Sequence, residues 1–268
     1  RSTLVRSSAA SDVYKRQDVT HAVGIDLYVS DLGRLTRFYN EVIGLKHFNK
    51  SKNEVVFNLD RDHFIRLIED DSKVKPSFDE AGLFHVAILL PERSDLADFL
   101  VHIHDKEIQL GASDHLVSEA IYLSDPEGNG IEIYVDRDHS QWTWNDDSIA
   151  METLPLDVED LLSVQSGNQF DGLPSSTIIS HIHLKAYNVS EMNQFYHEHL
   201  GFNEVATYGG QASFMSDANY HHHLAVNTWQ SKEMRNDNTL GLAKVYFNRS
   251  DFETIEHTDP SNICIQVN

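Results

Sequence analysis

The stretch DHLVSEAIYLSDPEGNGIEIY, residues 114–134, sets the interpretation of the whole chain. Its DPEGNG segment predicts a tight reversal of the backbone, because proline and glycine favour turn conformations. After the turn, aliphatic residues alternate with polar or aromatic ones, a pattern typical of a half-buried strand. The glutamate of this strand, Glu132, therefore points to the face opposite the aliphatic side chains. Alternation alone does not separate a functional carboxylate from an ordinary solvent-facing one.

The composition indicates a globular protein that does not bind polyanions. The chain has 268 residues, of which 40% are hydrophobic, and a formal net charge of -21. This charge argues against nucleic acid or an anionic membrane as a partner, and no apolar run approaches the roughly 20 residues that span a bilayer. The single cysteine, Cys264, excludes an internal disulfide and predicts a reducing, cytoplasmic location. The 16 histidines are a first indication of metal chemistry.

Two segments differ from the rest of the chain in composition. Residues 1–17, RSTLVRSSAASDVYKRQ, have no apolar core and no clear periodicity, and we expect them to be a non-native extension. Residues 137–176 contain QWTWNDD, a predicted short helix around VEDLLSV and a tail rich in Gly, Asn, Pro and Ser. This second segment is expected to be a linker packed on the surface between residues 18–136 and residues 177–268.

The chain contains an internal repeat. DLYVSDLGRLTRFYNEVIGL, residues 26–45, matches HLKAYNVSEMNQFYHEHLGF, residues 183–202, at an offset of about 157 residues. Each predicts an alternating strand, a polar turn and an amphipathic helix that ends at glycine. A second pair, residues 85–100 and 241–255, shares an Arg-Ser-Asp sequence at an offset of about 156. Because the two offsets agree, we expect four modules, each with a strand, a helix and then further strands.

The fourth module is shorter than the second. Its Asp259-Pro260 turn corresponds to Asp125-Pro126 at an offset of only about 134, so that about 22 residues are missing. A loss of this size would remove part of a helix and a central strand. A degenerate module and a deletion in this reading frame both fit the pattern.

The four-module layout and the residue 115–132 segment resemble the vicinal-oxygen-chelate superfamily. More narrowly, they resemble the type I extradiol ring-cleaving dioxygenases, in the catechol 2,3-dioxygenase branch found in bacilli. The motif runs from His115 through Ile121-Tyr122 and Asp125-Pro126 to Glu132. Ser113 is a departure, since the family usually has Gly, Asn, Thr or a β-branched residue there. The resemblance covers residues 18–230.

The resemblance implies an α+β fold of four βαβββ modules, here with the last one shortened, that pair into cupped mixed sheets. The family's metal binds one first-strand His from one module, together with a first-strand His and a last-strand Glu from its partner. The first-strand positions here hold Gly24, His85, His181 and Gly241, and the last-strand positions hold Glu132 and, in module four, Gln266. The complete ligand set is His85, Glu132 and His181. Modules two and three would therefore share a cup or meet across a dimer interface.

Two neutral imidazoles and one carboxylate are typical ligands of non-haem Fe(II) oxygenases. We therefore expect Fe(II) as the cofactor, with Mn(II) as the alternative metal. The expected reaction is extradiol (meta) cleavage of a catechol-like aromatic diol by dioxygen. The small aromatic diol and O2 are the expected partners, and association into a homo-oligomer is left open.

The segment YHHHLAVNTW, residues 220–229, contains the histidine that the resemblance implies as acid/base. In the family this histidine lies three positions before a small residue. Ala225 is the small residue here, so the pattern selects His222. It would take a proton from the substrate hydroxyl and return it during O–O cleavage. Because neighbouring residues of a strand face opposite sides, an error of one residue would select His223 instead.

The resemblance also implies a lining for the substrate pocket. His115 and Tyr122 are expected to hydrogen-bond the oxygens of the bound ring. Asn227 and Trp229 are further candidates for the lining.

Three other functions fit the same family. A metal-dependent lyase or isomerase of the glyoxalase I type generally uses four protein ligands, and residues 220–229 contain no carboxylate for the fourth. A thiol transferase that acts on fosfomycin shares a His-His-Glu set but would resemble only half of this chain. A non-catalytic protein of the bleomycin-resistance type would not need His85, His181 and Glu132 together.

Overall fold

The computed structural model describes residues 19–249 and 253–268. The proposed extension, residues 1–17, lies outside these ranges. The described chain is an α+β fold with two large mixed sheets, as the sequence predicted. No helix within these ranges has the length and apolar character needed to cross a membrane.

The first two modules follow the expected order of elements. Module one contains strand β1 (His21–Val29), helix α1 (Leu32–Arg37) continued by a π-helical segment (Phe38–Ile43), and strands β2 (Phe48–Lys50), β3 (Glu54–Asn58) and β4 (Phe64–Glu69). Module two contains β5 (Gly82–Leu89), α2 (Arg93–His104), β6 (Gly111–Asp114), β7 (Ser118–Ser124) and β8 (Gly130–Asp136).

The segment between the halves has structure of its own. It contains a 3-10 turn (His139–Gln141), a small hairpin of β9 (Trp144–Asn145) and β10 (Ser148–Ile149), and helix α3 (Val158–Leu162). Three of its side chains, Trp142, Ile149 and Leu161, are buried. The segment is therefore packed onto the fold and is not a free tether.

The last two modules differ from each other. Module three contains β11 (Ile178–Lys185), α4 (Val189–Leu200), β12 (Asn203–Tyr208), β13 (Ala212–Ser216) and β14 (Leu224–Asn227). Module four contains β15 (Gly241–Asn248), β16 (Ile255–Thr258) and β17 (Cys264–Val267). Between β15 and β16 none of the described residues is helical, so the loss there is larger than the part of a helix that the sequence suggested. Ser250 and Asp251 of the repeated Arg-Ser-Asp sequence lie outside the described residues.

The internal repeat extends to buried hydrogen bonds. The Tyr39 hydroxyl of module one donates to Asp125 over 3.2 Å, and the Tyr196 hydroxyl of module three donates to Asp259 over 2.9 Å. Both tyrosines are fully buried, and both aspartates open the Asp-Pro turns that the sequence comparison matched. The same interaction thus joins module one to module two and module three to module four.

The sheets pair the modules in a way that the sequence left open. An eight-stranded sheet has the order β12-β13-β14-β11-β5-β8-β7-β6 and combines modules two and three. A seven-stranded sheet has the order β16-β17-β15-β1-β4-β3-β2 and combines modules one and four. The antiparallel pair β5–β11 joins modules two and three within one chain. A cluster of buried apolar side chains includes residues from both sheets and from helices α1, α2, α3 and α4.

Glycine is required where β8 passes β5. A Cβ atom on Gly130 would lie 2.0 Å from the Phe84 carbonyl oxygen, whereas a Cβ atom on Gly111 of β6 would be 3.8 Å from its nearest neighbour. We expect Gly130→Ala to lower the free energy of unfolding by about 1–3 kcal/mol, because the strands must separate. Gly111→Ala should change it by no more than about 0.5 kcal/mol. Urea unfolding of both variants tests this, and equal effects would contradict the close approach.

Candidate metal and substrate site

Strand register brings the predicted ligands together around Ala87. On β5, Ala87 pairs with Glu132 of β8 on one side and with His181 of β11 on the other. His85 lies two residues before Ala87 and therefore on the same face of β5. Because Ala87 has a small side chain, the three longer side chains can converge above it.

The three ligand atoms lie close to one another. Glu132 Oε2 is 2.9 Å from His85 Nε2 and 3.0 Å from His181 Nε2, and the candidate ligand atoms lie within 4.8 Å of one another. All three residues are buried. Among the described residues, these three side chains form a group that could hold a metal ion.

The protonation of the group suits a cation. Burial alone would raise the pKa of Glu132, but the adjacent imidazoles of His85 and His181 hold this pKa well below its usual range. Burial lowers the pKa of His181 to about 4, because the interior disfavours an imidazolium. An ionised carboxylate and a neutral imidazole are the forms that bind metals.

His85 provides a direct test of whether a metal fits. Its Nε2 atom is buried and lies beside the Glu132 carboxylate, yet it makes no hydrogen bond with any described residue. A buried nitrogen without a hydrogen bond costs free energy. A metal ion bound between His85, Glu132 and His181 would satisfy this nitrogen, so the residues fit the expected group.

His115 and Tyr122 line the cavity beside Glu132, and Tyr122 also hydrogen-bonds the Glu132 carboxylate. Tyr122 of β7 pairs with Glu132 of β8, and its hydroxyl donates to Glu132 Oε1 over 2.9 Å. The Tyr122 hydroxyl also lies 2.6 Å from His115 Nε2, and His115 Nδ1 donates to the Glu152 carbonyl oxygen over 2.7 Å. Burial, and then the charge of Glu132, raise the pKa of Tyr122 well above its usual value. Tyr122 therefore keeps the proton with which it holds Glu132 Oε1, leaving Oε2 directed at the histidines.

His222 lies beside the candidate ligands. Its ring centroid is 4.0 Å from that of His181, and the side chain lines the cavity above the ligands. His221 and His223 do not line this cavity; His223 Nδ1 instead lies 3.2 Å from Ser216 Oγ, and its ring stacks on Phe202. Burial lowers the pKa of His222 well below its usual value. Of the two histidines that the sequence left open, the geometry favours His222 as a neutral base.

The cavity above these residues has a volume of about 1070 Å³. This volume lies at the upper end of the range for small-molecule sites. Aromatic and apolar walls surround the histidines, including Phe84, Leu110, Met151, Phe214 and Trp229. Trp229 thus lies where the sequence suggested, but Asn227 does not line the cavity and instead donates to His183 Nε2 over 2.9 Å.

Sequence reasoning missed several parts of the cavity wall. Met151, Glu152 and Thr153 come from the segment interpreted as a surface linker, and Ala206, Thr207 and Tyr208 come from β12. His183 and Lys185 follow His181 at alternate positions of β11 and also line the cavity. Strand alternation places His183 and Lys185 on the face of β11 that carries His181. No local pattern indicated the linker residues.

The seven-stranded sheet has no comparable group among its described residues. Gly24 lies between Phe64 of β4 and Tyr246 of β15, and a Cβ atom at Gly24 would lie 2.5 Å from the Phe64 ring. Gln266 also pairs with Tyr246. The aromatic ring of Phe64 therefore fills the space that a longer side chain at position 24 would need.

The fold of two mixed sheets and the His-His-Glu group in one of them agree with the family that matches the sequence. Residues 19–133 match the model of the Glyoxalase/Bleomycin resistance protein/Dioxygenase superfamily. The chain belongs to this superfamily, as its sequence resemblance implied. It is 37% identical over 217 residues, 80% of this chain and 76% of the relative, to the catechol-2,3-dioxygenase of Bacillus subtilis (strain 168).

Solved structures show the same fold. A putative dioxygenase from Bacillus subtilis subsp. subtilis str. 168 superposes with a TM-score of 0.61 at 9% identity, over 94% of this chain and 86% of that one. Glyoxalase I from Zea mays superposes with a TM-score of 0.56 at 12% identity, over 92% of each chain. At these identities the similarity shows the fold and not the reaction.

Proposed function

We propose that this chain is an Fe(II)-dependent extradiol dioxygenase, which cleaves the ring of a catechol-like aromatic diol with O2. The observation that carries the proposal is the buried group of His85, Glu132 and His181 beneath a cavity with aromatic walls. The relative named catechol-2,3-dioxygenase supports the same class of reaction.

The metal would be held by His85 Nε2, His181 Nε2 and Glu132 Oε2, with Fe(II) favoured by this donor set and Mn(II) as the alternative. When bound, the metal supplies open coordination positions for the two substrate oxygens and for O2. The chain contributes the pre-arranged ligands. Tyr122 and His115 hold the carboxylate in place, and hydrogen bonds to a metal ligand raise metal affinity.

His222 is proposed as the acid/base for the substrate hydroxyl. It is neutral and lies against His181, so that a diol placed at the metal would bring a hydroxyl within its reach. The aromatic walls of Phe214 and Trp229 would contact the faces and edges of the ring and exclude water. The large cavity leaves space for substituents beyond a simple catechol ring.

Metal content tests the ligand assignment without requiring activity. We expect purified protein loaded with Fe(II) under argon to retain about one metal per chain, because three residues supply the ligands. His181→Gln should lower the affinity by more than the roughly 100-fold that loss of an outer partner costs. His183→Gln is the matched control on the same face of β11, since His183 Nε2 is occupied by Asn227. Elemental analysis after gel filtration measures both, and full metal retention by His181→Gln would overturn the assignment.

Ring cleavage tests the reaction. Fe(II)-loaded protein mixed anaerobically with catechol should stay colourless and should form a yellow ring-opened product only after air is admitted, because O2 is a substrate. Absorbance and oxygen uptake measure the product. No reaction with catechol or substituted catechols, together with consumption of the glutathione adduct of methylglyoxal, would replace this proposal with a glyoxalase-type reaction.

Substitution of the proposed acid/base separates chemistry from binding. His222→Gln should lower kcat by about 10²–10⁴-fold, the usual contribution of general acid–base catalysis, with metal content unchanged. His223→Gln changes the next histidine, which lies outside the cavity, and should retain most of the activity. Steady-state kinetics of the two variants measures this, and similar losses in both would contradict the role of His222.

A further inference from the structure

A buried chain of hydrogen bonds lies behind His222. His222 Nδ1 is 2.8 Å from His221 Nδ1, and His221 Nε2 is 2.9 Å from Asp136 Oδ1. The side chain of His221 is 1% exposed and that of Asp136 is 4% exposed. Solvent therefore cannot replace these contacts, and each polar atom depends on its neighbour.

Proton counting assigns the donors in this chain. A carboxylate oxygen can only accept, so His221 donates to Asp136 from Nε2–H. When His221 is a neutral imidazole it has one N–H, and its Nδ1 is then an acceptor. The remaining contact needs one proton between two nitrogens, and in that state of His221 the proton lies on His222 Nδ1. The other nitrogen of His222, Nε2, then carries a lone pair.

The second carboxylate oxygen is also occupied. The Tyr220 hydroxyl donates to Asp136 Oδ2 over 2.8 Å, and the Tyr134 hydroxyl lies 2.8 Å from that of Tyr220. Tyr134 in turn lies 2.6 Å from Ser180 Oγ, next to His181 in the chain. Trp142 of the linker packs edge-on against the His221 ring at 5.2 Å between centroids. Both carboxylate oxygens of Asp136 are thus hydrogen-bonded. The network extends through Tyr220 and Tyr134 to Ser180 of β11, the strand that carries the candidate ligand His181.

We propose that Asp136 and His221 are positioning residues that hold His222 in the tautomer with its proton on Nδ1 and a free lone pair on Nε2. His222 Nδ1 points to His221, which lies outside the cavity, so Nε2 is the nitrogen available to a ligand. The catalytic consequence, a base ready to take the substrate hydroxyl proton, rests on the dioxygenase function proposed above. The tautomer itself does not.

Asp136→Asn should reverse the tautomer. The amide oxygen can keep the hydrogen bond from the Tyr220 hydroxyl only if the amide NH2 turns toward His221 Nε2, and we expect this orientation. His221 would then carry its proton on Nδ1 and donate to His222 Nδ1. His222 would be left with Nε2–H, a donor where the reaction needs an acceptor. A comparable Asp→Asn change in the serine-protease triad produces a wrong tautomer and a loss of about 10⁴-fold in kcat.

Nitrogen NMR of the full chain measures the tautomer directly. Uniformly 15N-labelled protein is loaded with Zn²⁺ in place of Fe(II) to avoid paramagnetic broadening, and the His222 signals are assigned by their loss in His222→Gln. Wild type should show a protonated Nδ1 and an unprotonated Nε2. Asp136→Asn should show the reverse. A protonated Nε2 in wild type would overturn the proposal, whatever the variants do.

Two further variants control for general damage to the fold. Asp26→Asn changes another buried aspartate that accepts from a tyrosine, Tyr246 at 2.8 Å, but in the other sheet, and it should leave the His222 signals unchanged. Adding Tyr220→Phe to Asp136→Asn frees the amide to turn its oxygen toward His221, so the wild-type tautomer should return. If this double variant keeps the reversed tautomer, the donor assignment is wrong.

Kinetics tests the catalytic consequence separately. With Fe(II) and catechol, Asp136→Asn should lower kcat by about 10²–10⁴-fold with KM within a few-fold of wild type, and the double variant should recover activity. A reversed tautomer with unchanged kcat would overturn the positioning role. If wild type cleaves no catechol at all, the proposed function fails, while the NMR result still decides the tautomer.

Discussion

The antiparallel pairing of β5 with β11 is the constraint on which the rest of the site depends. It joins module two to module three, and its register places His181 beside Ala87 while the parallel pairing of β5 with β8 places Glu132 on the other side. A shift of one residue in either pair would turn one ligand to the opposite face. The close approach of β5 and β8 at Gly130 and the apolar cluster beneath both sheets oppose such a shift.

Burial gives this arrangement its chemical character. Burial keeps the imidazoles of His181 and His222 neutral, and the Glu132 carboxylate stays ionised, so the group is suited to a cation. Two chains of hydrogen bonds orient side chains of the site. Tyr122 and His115 hold Glu132, and His221 with Asp136 holds His222. The first orients a candidate ligand and the second orients a candidate base.

The two sheets show how a duplicated fold can specialise. Modules two and three retain complete sets of strands and form the site, whereas in modules one and four Phe64 fills the corresponding space beside Gly24. The shortened module four belongs to the seven-stranded sheet, and its buried Tyr196–Asp259 hydrogen bond to module three is present. The missing residues therefore lie in the sheet without the candidate site, and every strand that carries a proposed ligand is complete.

Local patterns in the sequence indicated the strands and turns, because alternation and turn residues are properties of neighbouring residues, and a constant offset indicated the repeat. The α+β class and the three candidate ligands came from the resemblance to a known family. Tertiary structure alone decided that modules two and three meet within one chain and not across a dimer interface, because hydrogen bonds between distant strands leave no local pattern. It also placed His222, and not His223, in the lining of the cavity: β14 begins only at Leu224, so strand alternation does not apply to either. Asp136 and the linker residue Glu152 could not be found from sequence, since each acts through a partner far away in the chain.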